Sequence, residues 1–199
     1  MAATPSFPAR FLASTGAAIF AVFGTLFFAS TAVVCGLLPW RRAIMLRMSR
    51  GWSRGLLAAS GVRLRRSGQE NLDPGARYVL LANHQSYYDI PALLPSIPVE
   101  VRFAAKKSLF RIPFFGWAVR GGGFLPIDRE DRSKAKATLT QAASLLADGE
   151  SVLFFPEGTR CSDGKLAPFQ RGGFLIALKS GLPIVPVGVR GTRAVQPRG

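Results

Sequence analysis

Tyr78-Val79-Leu80-Leu81-Ala82-Asn83-His84-Gln85-Ser86-Tyr87-Tyr88-Asp89 joins a five-residue apolar run to a polar turn that holds the one histidine of a 199-residue chain. A run this short and rich in Leu, closed by turn-forming residues, predicts a buried strand over 78–82. Asn83, Gln85 and Ser86 suit a turn, and Asp89-Ile90-Pro91 suits a helix start. The same unit recurs downstream. Val101–Ala105, Gly123–Ile127, Ser151–Phe155 and Ile184–Val189 read as further strands, with helices over Ile90–Leu94, Pro113–Val119, Asp131–Ala147 and Gly172–Lys179. In the third of these helices Leu139, Ala142, Ala143 and Leu146 fall on one face and Gly149 supplies a stop. The alternation predicts an α/β domain with a largely parallel or mixed sheet flanked by helices.

Upstream of that domain the composition changes. Residues 1–66 contain nine Arg and no Asp or Glu, although the whole chain has 26 Lys+Arg against 11 Asp+Glu and a net charge of +15. Between Arg10 and Arg41 there is no charged residue, and residues 11–38 predict one apolar helix, roughly 42 Å long against a bilayer core of ~30 Å. That run is long for the ~7–15-residue core of a secretory signal. After Pro39 and Trp40, residues 41–60 set Arg41, Arg42, Arg47, Arg50 and Arg54 among apolar residues, the pattern of a basic amphipathic helix on an anionic leaflet. Residues 1–61 are thus expected to be a membrane anchor and 62–199 a separate domain. The arginines after the apolar run place that domain on the cytoplasmic side under the positive-inside rule. Cys35 and Cys161 suggest neither a disulfide framework nor a metal site. The basic excess rides on an apolar anchor, which argues against nucleic acid as the partner.

Polar residues collect just beyond the carboxyl ends of the predicted strands: His84 and Asp89, Lys106 and Lys107, Asp128 and Arg129, Glu157 and Arg160. Open α/β sheets form their ligand crevices there. His84 is the only side chain whose unperturbed pKa lies near ~6.5, which suits it to proton transfer at neutral pH. Five residues apart on a regular helix, His84 and Asp89 would diverge by about 140°, so contact needs an irregular turn. In such a turn Asp89 would fix the tautomer of a general base; the alternative is an N-capping Asp89 and a satisfied loop histidine. No Gly-x-Ser-x-Gly elbow is present and one histidine cannot build a typical zinc site, so direct attack by a substrate hydroxyl is the natural reaction. Lys106, Lys107, Arg129 and Arg160 suit an anionic group, with surface solvation as the structural alternative. Glu157 and Arg160, at i and i+3, can also form an ion pair shaping their loop.

These blocks resemble the glycerolipid acyltransferases, most closely the bacterial 1-acyl-sn-glycerol-3-phosphate acyltransferase type. Residues 83–89 are similar to the His-x4-Asp block, Lys106 to Gly116 to the second block and Gly123 to Arg129 to the arginine-bearing strand. Phe155-Pro156-Glu157-Gly158-Thr159-Arg160 is similar to the Glu-Gly-Thr-Arg block, and Leu182 to Val187 to the apolar proline block. The resemblance implies transfer of a fatty acyl group from acyl-carrier protein or acyl-CoA to the sn-2 hydroxyl of lysophosphatidate, with no further cofactor and no metal. His84 would be the base and Asp89 its orienting partner. Arg129 and Arg160, with Lys106 or Lys107, would hold phosphate, and Glu157, Gly158 and Thr159 would belong to the acceptor-binding loop. The implied location is the inner membrane. Alternatives of the same chemistry are a lyso-ornithine lipid or glycerol 3-phosphate as acceptor; a non-catalytic membrane-surface binder is the alternative of another class. Two departures stand out: Ser108 replaces the usual glutamate of the second block, and the chain ends at Gly199 where the family usually continues, so the expectation is either a sheet short of an edge or a chain that is a fragment.

Overall fold

A computed structural model describes residues 7–35, 41–121, 124–127, 140, 142–146, 149–161 and 163–197. Its sheet contains β1 (Val79–Ala82), β2 (Val101–Lys106), β3 (Leu125–Ile127), β4 (Ser151–Phe154) and β5 (Ile184–Val187), all parallel, in the order β3-β2-β4-β1-β5. Each strand falls within its expected span or one residue beyond it. The period-2 alternation of side chains divides the core between the two faces. On one face Leu80, Ala82, Phe103, Leu153 and Phe155 pack with Leu93, Leu94 and Ile97, in and just after α4 (Asp89–Leu93). α5 (Phe115–Gly121) adds Val119 against Phe110 and Ala105. The other face takes Val79, Leu81, Val152 and Phe154 against Ala142 and Leu146 and against Ile176 and Ala177 of α6 (Gly172–Ser180). Leu80, Phe103 and Leu153 are essentially inaccessible, each contributing about 1.5–3 kcal/mol by burial. Of the expected helix over 131–147, residues 140 and 142–146 are described and helical; the remainder lies outside the described residues.

This arrangement positions the site. Chain leaving β1 enters α4 on one face, whereas chain leaving β4 enters α6 on the other, so the carboxyl ends of these adjacent strands flank a switch-point crevice. Among the described strands β5 pairs with β1 alone, and Pro186 sits in it as an edge strand allows.

The N-terminal helices differ from expectation in two respects. The expected continuous helix over 11–38 is α1 (Phe7–Ile19), a π-helical segment (Phe20–Gly24) and α2 (Thr25–Cys35), followed by α3 (Arg41–Ala59); residues 36–40 lie outside the described residues. The π segment presents the Phe20 ring to Gly55, where an added Cβ would lie 2.3 Å from it, and Phe28 lies against Gly51. Gly51 and Gly55, four apart on α3, are thus notches receiving aromatic rings, the close approach that small residues permit. Second, Arg50 does not face outward with Arg47 and Arg54. Its Nε and Nη2 donate to the carbonyls of Leu94 (3.3 Å) and Ile97 (2.7 Å), tying α3 to the chain after α4. Those carbonyls need donors that the short helix does not supply. Ser60 and the Tyr88 hydroxyl, 2.6 Å apart, add a second tie. Leu12, Val22, Phe23, Phe27 and Val34 face outward, and the apolar window Ser14–Thr31 has a mean hydropathy of 1.5 with only 6% of it buried. It is long and apolar enough to cross a membrane, and it is not a buried core helix.

Candidate active site

The turn after β1 is irregular, and it closes the distance that a helix would leave open. His84 Nδ1 lies 2.8 Å from Asp89 Oδ2. The same oxygen accepts the backbone N–H of Gln85 (2.7 Å) and Ser86 (2.9 Å), so the chain wraps around the carboxylate. Asp89 therefore does not cap α4: its donors precede the helix. Burial pushes the Asp89 carboxyl up, but hydrogen bonds from the His84 ring and the Ser86 and Gln85 amides, with the nearby Thr192 hydroxyl, outweigh it and hold the group below the usual carboxylate value. The Phe155 ring lies on the imidazole with centroids 4.0 Å apart and planes 20° apart. With Nδ1 committed to the carboxylate and no hydrogen bond to Nε2 among the described residues, Nε2 is the nitrogen able to take a proton.

The loop after β4 is joined to this turn through its backbone. Cys161 N–H donates to the His84 carbonyl at 2.9 Å. Glu157, buried, accepts the His84 N–H on Oε1 (2.7 Å) and the Ala167 N–H on Oε2 (2.9 Å). Both of its oxygens are thereby spent on backbone, and the side chain braces the loop. Gly158 has φ +71°, which glycine adopts without strain. Thr159 is exposed beside it. The Arg160 guanidinium carbon lies 3.7 Å from the centroid of the Tyr87 ring, so a cation stands on an exposed aromatic shelf three residues from His84.

The structure thus brings together His84, Asp89, Glu157, Gly158, Thr159 and Arg160 at the ends of neighbouring strands. Lys106 and Lys107 are exposed at the end of β2, two strands from β1 and so about 10 Å along the same sheet edge. Arg129 lies outside the described residues. Sequence reasoning missed Phe155, taken only as a strand end, the Tyr87 shelf, and Thr192; that last residue reaches the site through tertiary folding alone.

A cavity of about 630 Å³ opens beside the turn, reaching Tyr87 and Tyr88. One wall is Ala17, Ala21, Thr25 and Ala29 of the N-terminal helices with Met48 and Trp52 of α3; the other is Ile90, Pro91, Leu109 and Val119 of the α/β domain. Trp52 Nε1 donates to Thr25 Oγ1 (3.0 Å), pairing these two polar groups on the anchor side. Such a lining favours an extended apolar group.

Residues 63–190 match the Acyltransferase family. The chain belongs to that family. A chloroplastic 1-acyl-sn-glycerol-3-phosphate acyltransferase of Brassica napus is 42% identical over 133 residues, 66% of this chain and 38% of the relative. The 1-acyl-sn-glycerol-3-phosphate acyltransferase of Pseudomonas aeruginosa is 33% identical over 174 residues, 83% of this chain and 64% of the relative. The matched stretches thus span less than two thirds of these relatives. The crystal structure of the 1-acyl-sn-glycerophosphate (LPA) acyltransferase, PlsC, from Thermotoga maritima superposes with a TM-score of 0.82 at 27% identity, covering 96% of this chain and 78% of that one. The likeness covers nearly the whole α/β fold of this acyltransferase-family chain.

Proposed function

We propose that this chain moves a fatty acyl group from a thioester, acyl-carrier protein or acyl-CoA, to the sn-2 hydroxyl of 1-acyl-sn-glycerol 3-phosphate, forming phosphatidate. The observation that carries the reading is the 2.8 Å contact of His84 Nδ1 with Asp89 Oδ2 in a crevice that also holds Arg160. In this mechanism His84 Nε2 takes the acceptor hydroxyl proton as that oxygen attacks the thioester carbonyl. The tetrahedral adduct then expels the thiolate, which leaves with the proton from the imidazolium, and no acyl-enzyme forms. Asp89 stabilises the transient imidazolium and holds its tautomer. Arg160, with Arg129 and Lys106 or Lys107, balances the phosphate charge, and the apolar cavity takes a fatty chain. Glu157 acts through the loop it braces. α1, α2 and α3 hold the crevice against the membrane carrying acceptor and product, with the catalytic domain on the cytoplasmic side of the inner membrane.

The test is a single assay with several arms. Purified chain is given lysophosphatidate, a lyso-ornithine lipid or glycerol 3-phosphate, each with acyl-CoA or acyl-carrier protein, beside a His84→Ala variant of matched melting temperature. Lysophosphatidate is expected to be acylated fastest and His84→Ala to lose turnover. Preference for another acceptor overturns the substrate assignment, and an active His84→Ala overturns the mechanism.

A further inference from the structure

Asp89 has two carboxylate oxygens, and its own loop uses only Oδ2, which takes all three donors from His84, Gln85 and Ser86. Oδ1 is sealed from solvent and has no hydrogen-bond partner among the described residues. One other buried side-chain oxygen shares that condition: Thr192 Oγ1. The Thr192 hydroxyl is also among the groups that bear on the Asp89 carboxylate. A buried acceptor carrying charge is costly to leave unmet, so an inaccessible hydroxyl beside an inaccessible carboxylate oxygen has one evident use.

The backbone delivers Thr192 to this place. After β5 the chain passes Gly191 at φ +86°, a conformation that glycine adopts freely, and enters α7 (Thr192–Val195). Two ties bracket the threonine. On one side the Asn83 amide pairs with Val189, Nδ2 donating to the carbonyl (2.9 Å) and Oδ1 accepting the N–H (2.6 Å). On the other, Ser86 Oγ donates to the Gln196 carbonyl (2.8 Å). Asn83 and Ser86 belong to the His84 turn, so the segment after β5 is clamped to that turn at both ends with Thr192 between the clamps.

We propose that Thr192 is a positioning residue: its hydroxyl donates to Asp89 Oδ1, fixing the carboxylate plane so that Oδ2 stays in line with His84 Nδ1. The proposal rests on the general-base reading of His84 and adds a third member to that pair. Thr192 touches no substrate. Its effect is on how squarely Asp89 meets the ring, hence on turnover rather than on acceptor binding.

The experiment compares Thr192→Val, Thr192→Ala and Thr192→Ser in the full chain with lysophosphatidate and acyl-CoA, alongside His84→Ala. Serine keeps the hydroxyl and loses the methyl; alanine loses both, so the serine–alanine pair isolates the hydroxyl even where valine impairs folding. Expected is a fall of kcat by about 10- to 100-fold in the valine and alanine variants, the scale of one hydrogen bond to a charged group, with KM for lysophosphatidate unchanged and serine near the parent. Because His84 is the only histidine, labelled histidine gives one imidazole signal by NMR. Its Nδ1 proton resonance is expected to move in the valine and alanine variants and not in serine. Equal kcat and an unmoved resonance across serine and alanine, with His84→Ala inactive, overturn the assignment of Thr192 alone. An active His84→Ala overturns the underlying general-base reading instead.

Discussion

Replacing Asp89 by Asn separates shape from charge at the centre of the site. Three donors converge on Asp89 Oδ2 in the folded chain. An asparagine can seat its amide oxygen in the same place, keep all three bonds, and put its NH2 where Oδ1 now lies, opposite the Thr192 hydroxyl. The turn should then persist, and what vanishes is a negative charge beside a ring that, in the proposed mechanism, becomes cationic while it holds the substrate proton. With charge centres ~4 Å apart and an effective dielectric of about 20, that attraction is about 4 kcal/mol, or about 10³ in rate. The figure falls inside the ~10²–10⁴ range for general-base assistance. The assay is the initial rate of phosphatidate formation at saturating lysophosphatidate, with thermal melts of parent and variant. The expected result is a kcat lowered about a thousandfold with KM held, the signature of an interaction made in the transition state. A folded Asp89→Asn chain retaining a kcat within about threefold of the parent would refute the reasoning, because about 0.7 kcal/mol is too little for a charge at this distance.

Three further outcomes follow from named contacts. Glu157→Gln turns an NH2 toward one of two backbone N–H donors, so at about 1.5–3 kcal/mol for a charge-assisted bond and about 2–4 °C per kcal/mol in a chain this size, melting should fall by about 3–12 °C. An unchanged melting temperature would contradict the brace. Gly55→Ala drives a methyl into the Phe20 ring and should cost about 1–3 kcal/mol by overpacking, with Phe20→Leu recovering part of the loss in a double-mutant cycle; additive effects would deny the contact. Asp89 titrates below its usual value in the folded chain, so its contribution to stability is present above about pH 4 and drains away as pH falls through the lowered folded value. Melts across that acid range should therefore show a shallower decline for Asp89→Asn than for the parent, and identical slopes would contradict the shift.

The strands and the His84 turn were legible because their signals are local: short apolar runs ended by turn residues, with polar clusters after each. That is enough to place His84, Asp89, Glu157 and Arg160 on one edge of a parallel sheet. Strand order is less legible. Nothing in the chain's local pattern says that β4 inserts between β1 and β2, which brings Glu157 and Arg160 beside His84 and leaves Lys106 and Lys107 a strand further away. Arg50 was misread for a related reason. On a helix wheel it belongs with Arg47 and Arg54, and only the packed position of α4 turns it toward the Leu94 and Ile97 carbonyls. The π segment at Phe20–Gly24 was equally hidden, since the ring it presents meets a glycine on another helix that no local pattern pairs with it. Thr192 had no sequence signal, because a threonine after a glycine is common and its meaning depends on a carboxylate supplied about a hundred residues earlier, by the chain leaving the neighbouring strand β1.

The apolar cavity belongs to neither half of the molecule: Ala17, Ala21 and Ala29 form one side, Ile90, Leu109 and Val119 the other. Trimming the leading helices to obtain a more tractable protein would therefore peel away one wall of that container as well as the proposed tether. Conversely, under the proposed function, transplanting those helices between homologues should carry part of any preference for acyl length with them.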